Sequence, residues 1–183
     1  MHMSRYLRSL LPGCLVLALA GTANAQFATT GTTIVSVAIA PEAALQINTA
    51  TSTLAAAGTT FNNNYTGTTS LTYKVRTTKV GGSGTITLKV TTDFSPAGGP
   101  SVLTPPTAGD TLAYTCTLTA PGTACSGSQT SSTTAGTAVG TFGADAKSAS
   151  AGNGGSVAWT LTNDPQYSTG TYTATVTFTI SAT

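Results

Sequence analysis

The residues just before the C-terminus alternate strictly between apolar and hydroxylated side chains. Over residues 171–182 the apolar set starts at Tyr172 and ends at Ala182, and threonine or serine fills every position between. In an extended strand, alternate side chains point to opposite faces of the sheet. This segment therefore predicts a β-strand with one dry face and one wet face, and the dry face has to pack against a second layer.

The same period of two recurs along the chain. It is found in four further apolar sets besides the terminal one: Leu71, Tyr73 and Val75; Ile86, Leu88 and Val90; Leu112, Tyr114, Cys116 and Leu118; Val157, Trp159 and Leu161. A shorter set, Val35, Val37 and Ile39, predicts a strand that ends at Pro41. Threonine, which is abundant throughout, is β-branched and suits a pleated, half-wet surface. No segment after Ala25 has helical spacing, and residues 41–44 and 51–57 predict turns at most.

These strands predict one all-β domain over residues 26–183, folded as a single antiparallel β-sandwich of immunoglobulin-like type. The glycine-rich segment Lys79–Gly84 is typical of a β-hairpin connection between its two flanking strands. Residues 95–110 and 126–155 predict long loops, with a short strand near residues 139–142. Greek-key and jelly-roll strand orders both remain open.

The N-terminus has the three parts of a secretory signal peptide. Arg5 and Arg8 precede an apolar run from Leu10 to Ala20, and Ala23-Asn24-Ala25 supplies small residues for cleavage. A membrane anchor would need roughly 20 apolar residues, and this run is far shorter. We therefore expect residues 1–25 to be removed, leaving no membrane span in a protein that is periplasmic, cell-surface or extracellular.

Cleavage would remove the only histidine of the chain, a side chain that many enzymes use as a base. The single histidine, His2, lies in the leader, and two of the seven basic residues leave with it, so the mature chain carries five basic and five acidic residues. A neutral chain lacks the basic footprint of a nucleic-acid-binding protein. Nucleophilic catalysis needs a base beside the nucleophile, and no such motif is present. The sequence predicts no enzyme, no cofactor and no metal site.

Two cysteines remain in the mature chain, Cys116 and Cys125. In an oxidising compartment such a pair predicts one disulfide, which here closes a short loop containing Ala120-Pro121-Gly122. A zinc or redox pair is disfavoured because the mature chain has no histidine and no second thiol pair.

Basic residues cluster in one part of the sequence. Four of the five mature ones are Lys74, Arg76, Lys79 and Lys89, on two predicted strands and the turn between them. If those strands pair, the four side chains form a ligand patch for an acidic glycan or a partner; a solvated sheet face is the simpler interpretation. Tyr65 and Tyr167, in polar segments, are the aromatic ligand candidates.

The C-terminal strand resembles that of chaperone–usher pilins, including spore-coat-U-like subunits. Gly170 stands fourteenth from the end, ahead of the alternating apolar residues Tyr172, Ala174, Val176, Phe178 and Ile180. The resemblance implies an incomplete immunoglobulin-like sandwich, in which these residues pair with a neighbouring subunit's N-terminal extension. The segment Ile34–Ile39 is the expected donor. Separately, Trp159-Thr160-Leu161 resembles the Trp-x-Leu motif of WxL bacterial surface proteins.

Three functions follow as expectations. The first is a structural or adhesive protein that is secreted or attached to the cell surface. As a fimbrial-type subunit, it would assemble by strand addition with further copies of itself or with other surface subunits. The alternative is a carbohydrate-binding module with a glycan as its partner. The most remote is an ice-binding surface formed by the Thr-x-Thr pattern of residues 171–179.

Overall fold

The computed structural model describes residues 30–183 and contains strands, turns and loops. The predicted signal peptide lies outside the described residues. The strands are β1 (Glu42–Ile47), β2 (Ala55–Ala56), β3 (Tyr65–Arg76), β4 (Gly84–Ser95), β5 (Leu112–Leu118), β6 (Thr123–Ala124), β7 (Gln129–Thr130), β8 (Thr137–Phe142), β9 (Asn153–Leu161) and β10 (Thr173–Ala182). Among residues 30–183, no helix is long and apolar enough to cross a membrane.

Two antiparallel sheets pack together, which confirms the predicted β-sandwich. The larger, sheet A, has the order β1-β3-β9-β5-β7, with β2 also paired to β3. The smaller, sheet B, has the order β10-β4-β8-β6. All strands belong to one compact unit, residues 38–183. The two edge strands β1 and β10, one from each sheet, approach each other along the same side of the sandwich.

The apolar face of each alternating strand points into one core. Its most buried members come from β3, β4, β5, β8 and β9, and they include Leu71, Tyr73, Ile86, Leu88, Val90, Tyr114, Val139, Val157 and Trp159. Where a core side chain carries a polar atom, that atom has a partner. Trp159 Nε1, for example, donates to Thr69 Oγ1 at 2.8 Å. Burial of apolar area is the main stabilising contribution to such a fold.

The predicted disulfide is present, and it connects the two sheets. Cys116 belongs to β5 in sheet A, whereas Cys125 follows β6 in sheet B, with its amide donating to Val139 O at 2.9 Å. Tyr73 reinforces the same region from the core. Its hydroxyl donates to the carbonyl of Thr119 and accepts from the amide of Gly122 at 2.9 Å, so the turn in the middle of the loop between the cysteines is held on both sides.

The predicted hairpin between β3 and β4 is wrong. These strands belong to different sheets, so the chain crosses from one layer to the other between Thr77 and Ser83. Thr77 is buried at the start of this crossing, where its hydroxyl donates to Gly143 O at 2.7 Å and accepts from Ala146 N at 2.8 Å. Alternation in the sequence shows only that each strand has an apolar face. Two such strands can bury these faces in the same core whether they pair side by side or lie in opposite sheets, so the sequence did not distinguish the two arrangements.

The prediction of a strand at residues 34–39 is also wrong for this chain, as residues 30–41 form no strand. The first strands are instead β1, which begins in the turn predicted at residues 41–44, and β2, which lies within the turn predicted at residues 51–57. Both pair with the same edge of β3. This pairing stabilises them as strands, although their short, alanine-rich sequences do not predict a strand. In the loop predicted at residues 126–155, the short strand expected near residues 139–142 is confirmed as β8.

The Tyr73 hydroxyl can be tested by its removal. Tyr73→Phe should lower the free energy of unfolding by about 1–2 kcal/mol, because two backbone groups of the disulfide loop lose a partner. Chemical denaturation of the mature protein measures the change. The matched control is Tyr172→Phe, which loses one surface hydrogen bond to Ser168 O and should cost less. Equal losses in the two variants would contradict the role assigned to Tyr73.

Candidate functional site

The C-terminal strand β10 is paired on one side only. It bonds to β4 over Thr173–Ala182, and among the described strands no other one pairs with it. The backbone groups on its outer edge are therefore available to a further strand. Natural edge strands usually carry lysine or proline to prevent this, but residues 173–182 contain neither. We take this edge, together with the apolar row described next, as the candidate functional site.

The inward-facing side chains of β10 are incompletely covered. Ala174, Val176, Phe178 and Ile180 pack against the core yet remain half-buried. Their neighbours on β4 are fully buried: Val176 is opposite Val90, Phe178 opposite Leu88 and Ile180 opposite Ile86. A core residue flanked by strands on both sides is covered from both sides. The row on β10 has such a neighbour on one side, so it forms the open apolar margin of the sandwich.

Strand β1 forms the other wall of this margin, and the sequence did not reveal it. Ala43 and Leu45 are half-buried against the core, and Ile47 is 36% exposed. The signal was present as an alternation of Ala43, Leu45 and Ile47 with polar or small residues. Alanine is too weak an apolar marker for the pattern to stand out.

Gly170 and Tyr172, which were also predicted to belong to the strand-pairing row, lie ahead of β10 and outside it. Gly170 lies exposed in a bend, and β10 begins three residues later, at Thr173. The Tyr172 ring covers Gly99, where an added Cβ would lie 2.3 Å from the ring, and its hydroxyl donates to Ser168 O at 2.7 Å. Tyr172 thus joins the loop after β4 to the loop before β10. Of the residues predicted for strand pairing, those that lie on β10 are Ala174, Val176, Phe178 and Ile180.

The expected donor segment is apolar and exposed. Ile34 is 95% exposed, Val35 90%, Val37 81% and Ile39 68%. Side chains of this kind normally lie in a core or an interface, and several in one stretch mark an interaction segment. Residues 30–183 therefore include an open apolar strand margin and an exposed apolar segment.

The predicted basic patch is divided between two surfaces. Lys74 and Arg76 lie on β3 in sheet A, whereas Lys89 lies on β4 in sheet B, so the expected pairing of their strands is wrong. Lys79 lies in the crossing between the sheets, near Asp145. Arg76 is engaged locally: its Nη2 donates to Glu42 Oε2 at 3.0 Å and its Nε to Ala40 O at 2.9 Å. The four cations do not form one patch.

The outer face of sheet B carries rows of hydroxyl groups. Strand registers place Ser181, Thr85, Thr141 and Thr123 in one row across four strands. The hydroxyls of Thr85 and Ser181 lie 3.1 Å apart, and those of Thr91 and Thr177 lie 3.0 Å apart. Lys89, opposite Thr177, interrupts the pattern. Within residues 30–183, no three acidic, histidine or cysteine side chains gather into a metal-binding group.

Because the margin is open, we expect truncation of a β10 side chain to destabilise the protein less than truncation of its paired residue on β4. Leu88→Ala should cost about 2–5 kcal/mol of unfolding free energy, as expected for a buried leucine. Phe178→Ala on the paired strand should cost less than Leu88→Ala, because the Phe178 side chain is only partly buried. Denaturant unfolding of dilute protein measures both. A Phe178→Ala loss as large as that of Leu88→Ala would show that the margin is covered.

No protein-family model matches this chain, and neither a curated protein nor a solved structure does so. The resemblance of the terminal strand to pilins therefore remains a prediction from the sequence. The functional interpretation depends on the geometry of β10, β1 and the segment Ile34–Ile39.

Proposed function

We propose that this protein is an exported structural subunit that assembles by strand addition. In this assembly, the segment Ile34–Ile39 of one copy pairs with the outer edge of β10 in the next. The observation that carries the proposal is the one-sided pairing of β10 combined with its half-buried apolar row. In strand addition, main-chain hydrogen bonds between the two strands supply affinity, and the alternate side chains of the added strand supply specificity.

The spacing of the donor fits that of the acceptor. In an extended chain Val35, Val37 and Ile39 point to one side, two residues apart, as do Val176, Phe178 and Ile180 on β10. Placing one set beside the other would cover both rows. Burial removes apolar surface from water at about 25 cal/mol per Å². Because the segment is exposed in its own chain, we assign it to a neighbouring copy.

Export is part of the proposal. A disulfide persists in oxidising compartments such as the periplasm and the cell exterior, and Cys116–Cys125 is formed. The signal peptide expected at residues 1–25 agrees with the same locations. A subunit that assembles outside the cytoplasm acts as a structural or adhesive element of the surface.

The alternative of a carbohydrate-binding module has less support. Stacking on sugars uses exposed aromatic faces, yet of the aromatic side chains within residues 30–183 only Phe61 is mostly exposed. The division of the basic residues between two sheets removes the second feature that favoured a glycan. The hydroxyl rows of sheet B are the feature on which the ice-binding alternative would depend.

Complementation between two variants tests the assembly mechanism. Val37→Asp places a charge in the donor, and Val176→Asp places one in the acceptor. Each variant alone should be monomeric, because burying an unpaired carboxylate opposes pairing and should weaken it at least about 100-fold. Mixed together, the intact acceptor of the first should bind the intact donor of the second. Analytical ultracentrifugation should then show a 1:1 heterodimer, whereas the unchanged protein forms larger oligomers.

Matched controls change the opposite faces of the same two segments. Ser36→Asp and Thr177→Asp point away from the proposed contact and should assemble like the unchanged protein, and circular dichroism confirms that every variant is folded. A synthetic peptide of residues 30–40 should bind the Val37→Asp variant and not the Val176→Asp variant. Oligomers of Val37→Asp equal to those of the unchanged protein, or failure of the peptide to bind, would refute the mechanism.

A further inference from the structure

Two carboxyl groups meet at one end of the sandwich, in loops that are far apart in sequence. Asp110 lies just before β5 and Asp164 just after β9. Because β5 and β9 are antiparallel neighbours, with Leu112 opposite Leu161, the start of one strand lies beside the end of the other. The two aspartates are close enough to interact directly.

Asp164 is buried and has an oxygen without a partner. The residue is 6% exposed, and its Oδ1 accepts the amide of Gln166 at 2.8 Å. Its Oδ2 is fully buried and, within the described part of the chain, accepts no hydrogen bond. An unpaired buried carboxylate oxygen is costly, so such atoms usually carry a proton or contact a cation.

Within residues 30–183, the groups beside this pair include hydroxyls, and neither aspartate forms a salt bridge. The hydroxyl of Tyr167 donates to Asp110 Oδ2 at 3.2 Å, and the hydroxyls of Thr107 and Thr162 adjoin the pair. The two salt bridges found within residues 30–183 are elsewhere, at Arg76–Glu42 and Lys147–Asp145.

The ionisation of the pair is asymmetric. The adjacent Thr107 hydroxyl and the hydrogen-bonded Gln166 amide lower the pKa of Asp164. Burial, followed by the adjacent Asp164 carboxylate, raises the pKa of Asp110. Burial and then the nearby Asp110 charge raise the pKa of Tyr167.

We propose that Asp110 and Asp164 form a calcium-binding site, with the unpartnered Asp164 Oδ2 and the Asp110 carboxylate as its charged ligands. The neighbouring hydroxyls of Thr107 and Thr162, with water, complete the coordination. A donor set made of oxygen alone suits Ca²⁺ or Mg²⁺ rather than zinc or copper. Ca²⁺ is favoured because it accepts irregular geometry from loops, whereas Mg²⁺ demands a near-octahedral arrangement.

The bound ion would link two loops that are far apart in the sequence. One is the segment between β4 and β5, which includes Thr107 and Asp110. The other is the segment between β9 and β10, which includes Thr162 and Asp164. Two carboxylates predict the modest affinity of extracellular calcium modules, a dissociation constant on the order of 10⁻⁴–10⁻³ M. The site does not depend on strand addition, since it lies in these loops and not on the edge of β10.

Thermal unfolding of the mature protein tests the site with Ca²⁺ as the probe. Saturating Ca²⁺ should raise the unfolding midpoint by about 3–8 °C relative to protein in EDTA, and Mg²⁺ should raise it less. Isothermal titration calorimetry should give one site per chain. Asp110→Asn and Asp164→Asn should each abolish the calcium-dependent shift and the binding heat.

The matched control is Asp145→Asn, which changes a carboxylate paired with Lys147 outside the site and should keep the full shift. An unchanged midpoint and no binding heat in the unchanged protein would overturn the proposal. A calcium shift that survives in Asp110→Asn and Asp164→Asn alike would likewise overturn it. Because this readout is the stability of the single chain, it is independent of whether copies assemble.

Discussion

The placement of β3 and β4 in different sheets is the constraint on which the rest of the structure depends. Both strands carry a continuous apolar face, and each buries that face in the common core. Because the chain changes layers between them, β3 can pair with β1 and β9, while β4 pairs with β8 and β10. A hairpin at this point would place the two strands side by side and would give the sheets a different set of edges.

The layer change leaves β1 and β10 as the edges of the two sheets on one side of the sandwich. The disulfide and the Tyr73 hydroxyl hold a different region, where the loop after β5 meets β6 and β8 in the other sheet. Within residues 30–183, the core and the cross-links lie away from the margin, and β10 pairs with β4 alone. This combination is what favours a subunit that gains its last strand from a partner.

Much of the fold could be predicted from the sequence, because alternation at period two is a local property. The strands at Leu71–Val75, Ile86–Val90 and the C-terminus were all visible in this way, as was the cysteine pair. Which strands pair with each other could not be predicted, because any neighbour that covers the apolar face of an alternating strand fits its sequence equally well. The mistaken hairpin and the mistaken basic patch have this common cause.

The site was only partly predictable for the same reason. The apolar row of β10 was read correctly from the sequence, but its half-burial depends on which strands lie beside it. The burial of Asp164 was hidden as well, because Asn163-Asp164-Pro165 has the composition of an exposed turn. It becomes buried because the start of β5 lies beside the end of β9 and brings the loop containing Asp110 against it.

Amide hydrogen exchange along β10 tests the open edge most directly. In the monomer, alternate amides of residues 173–182 that point away from β4 should exchange rapidly, while those bonded to β4 are protected. Adding a peptide of residues 30–40 should protect the rapidly exchanging set and leave the other unchanged. Full protection of every β10 amide in the monomer, with no change on adding the peptide, would contradict the account.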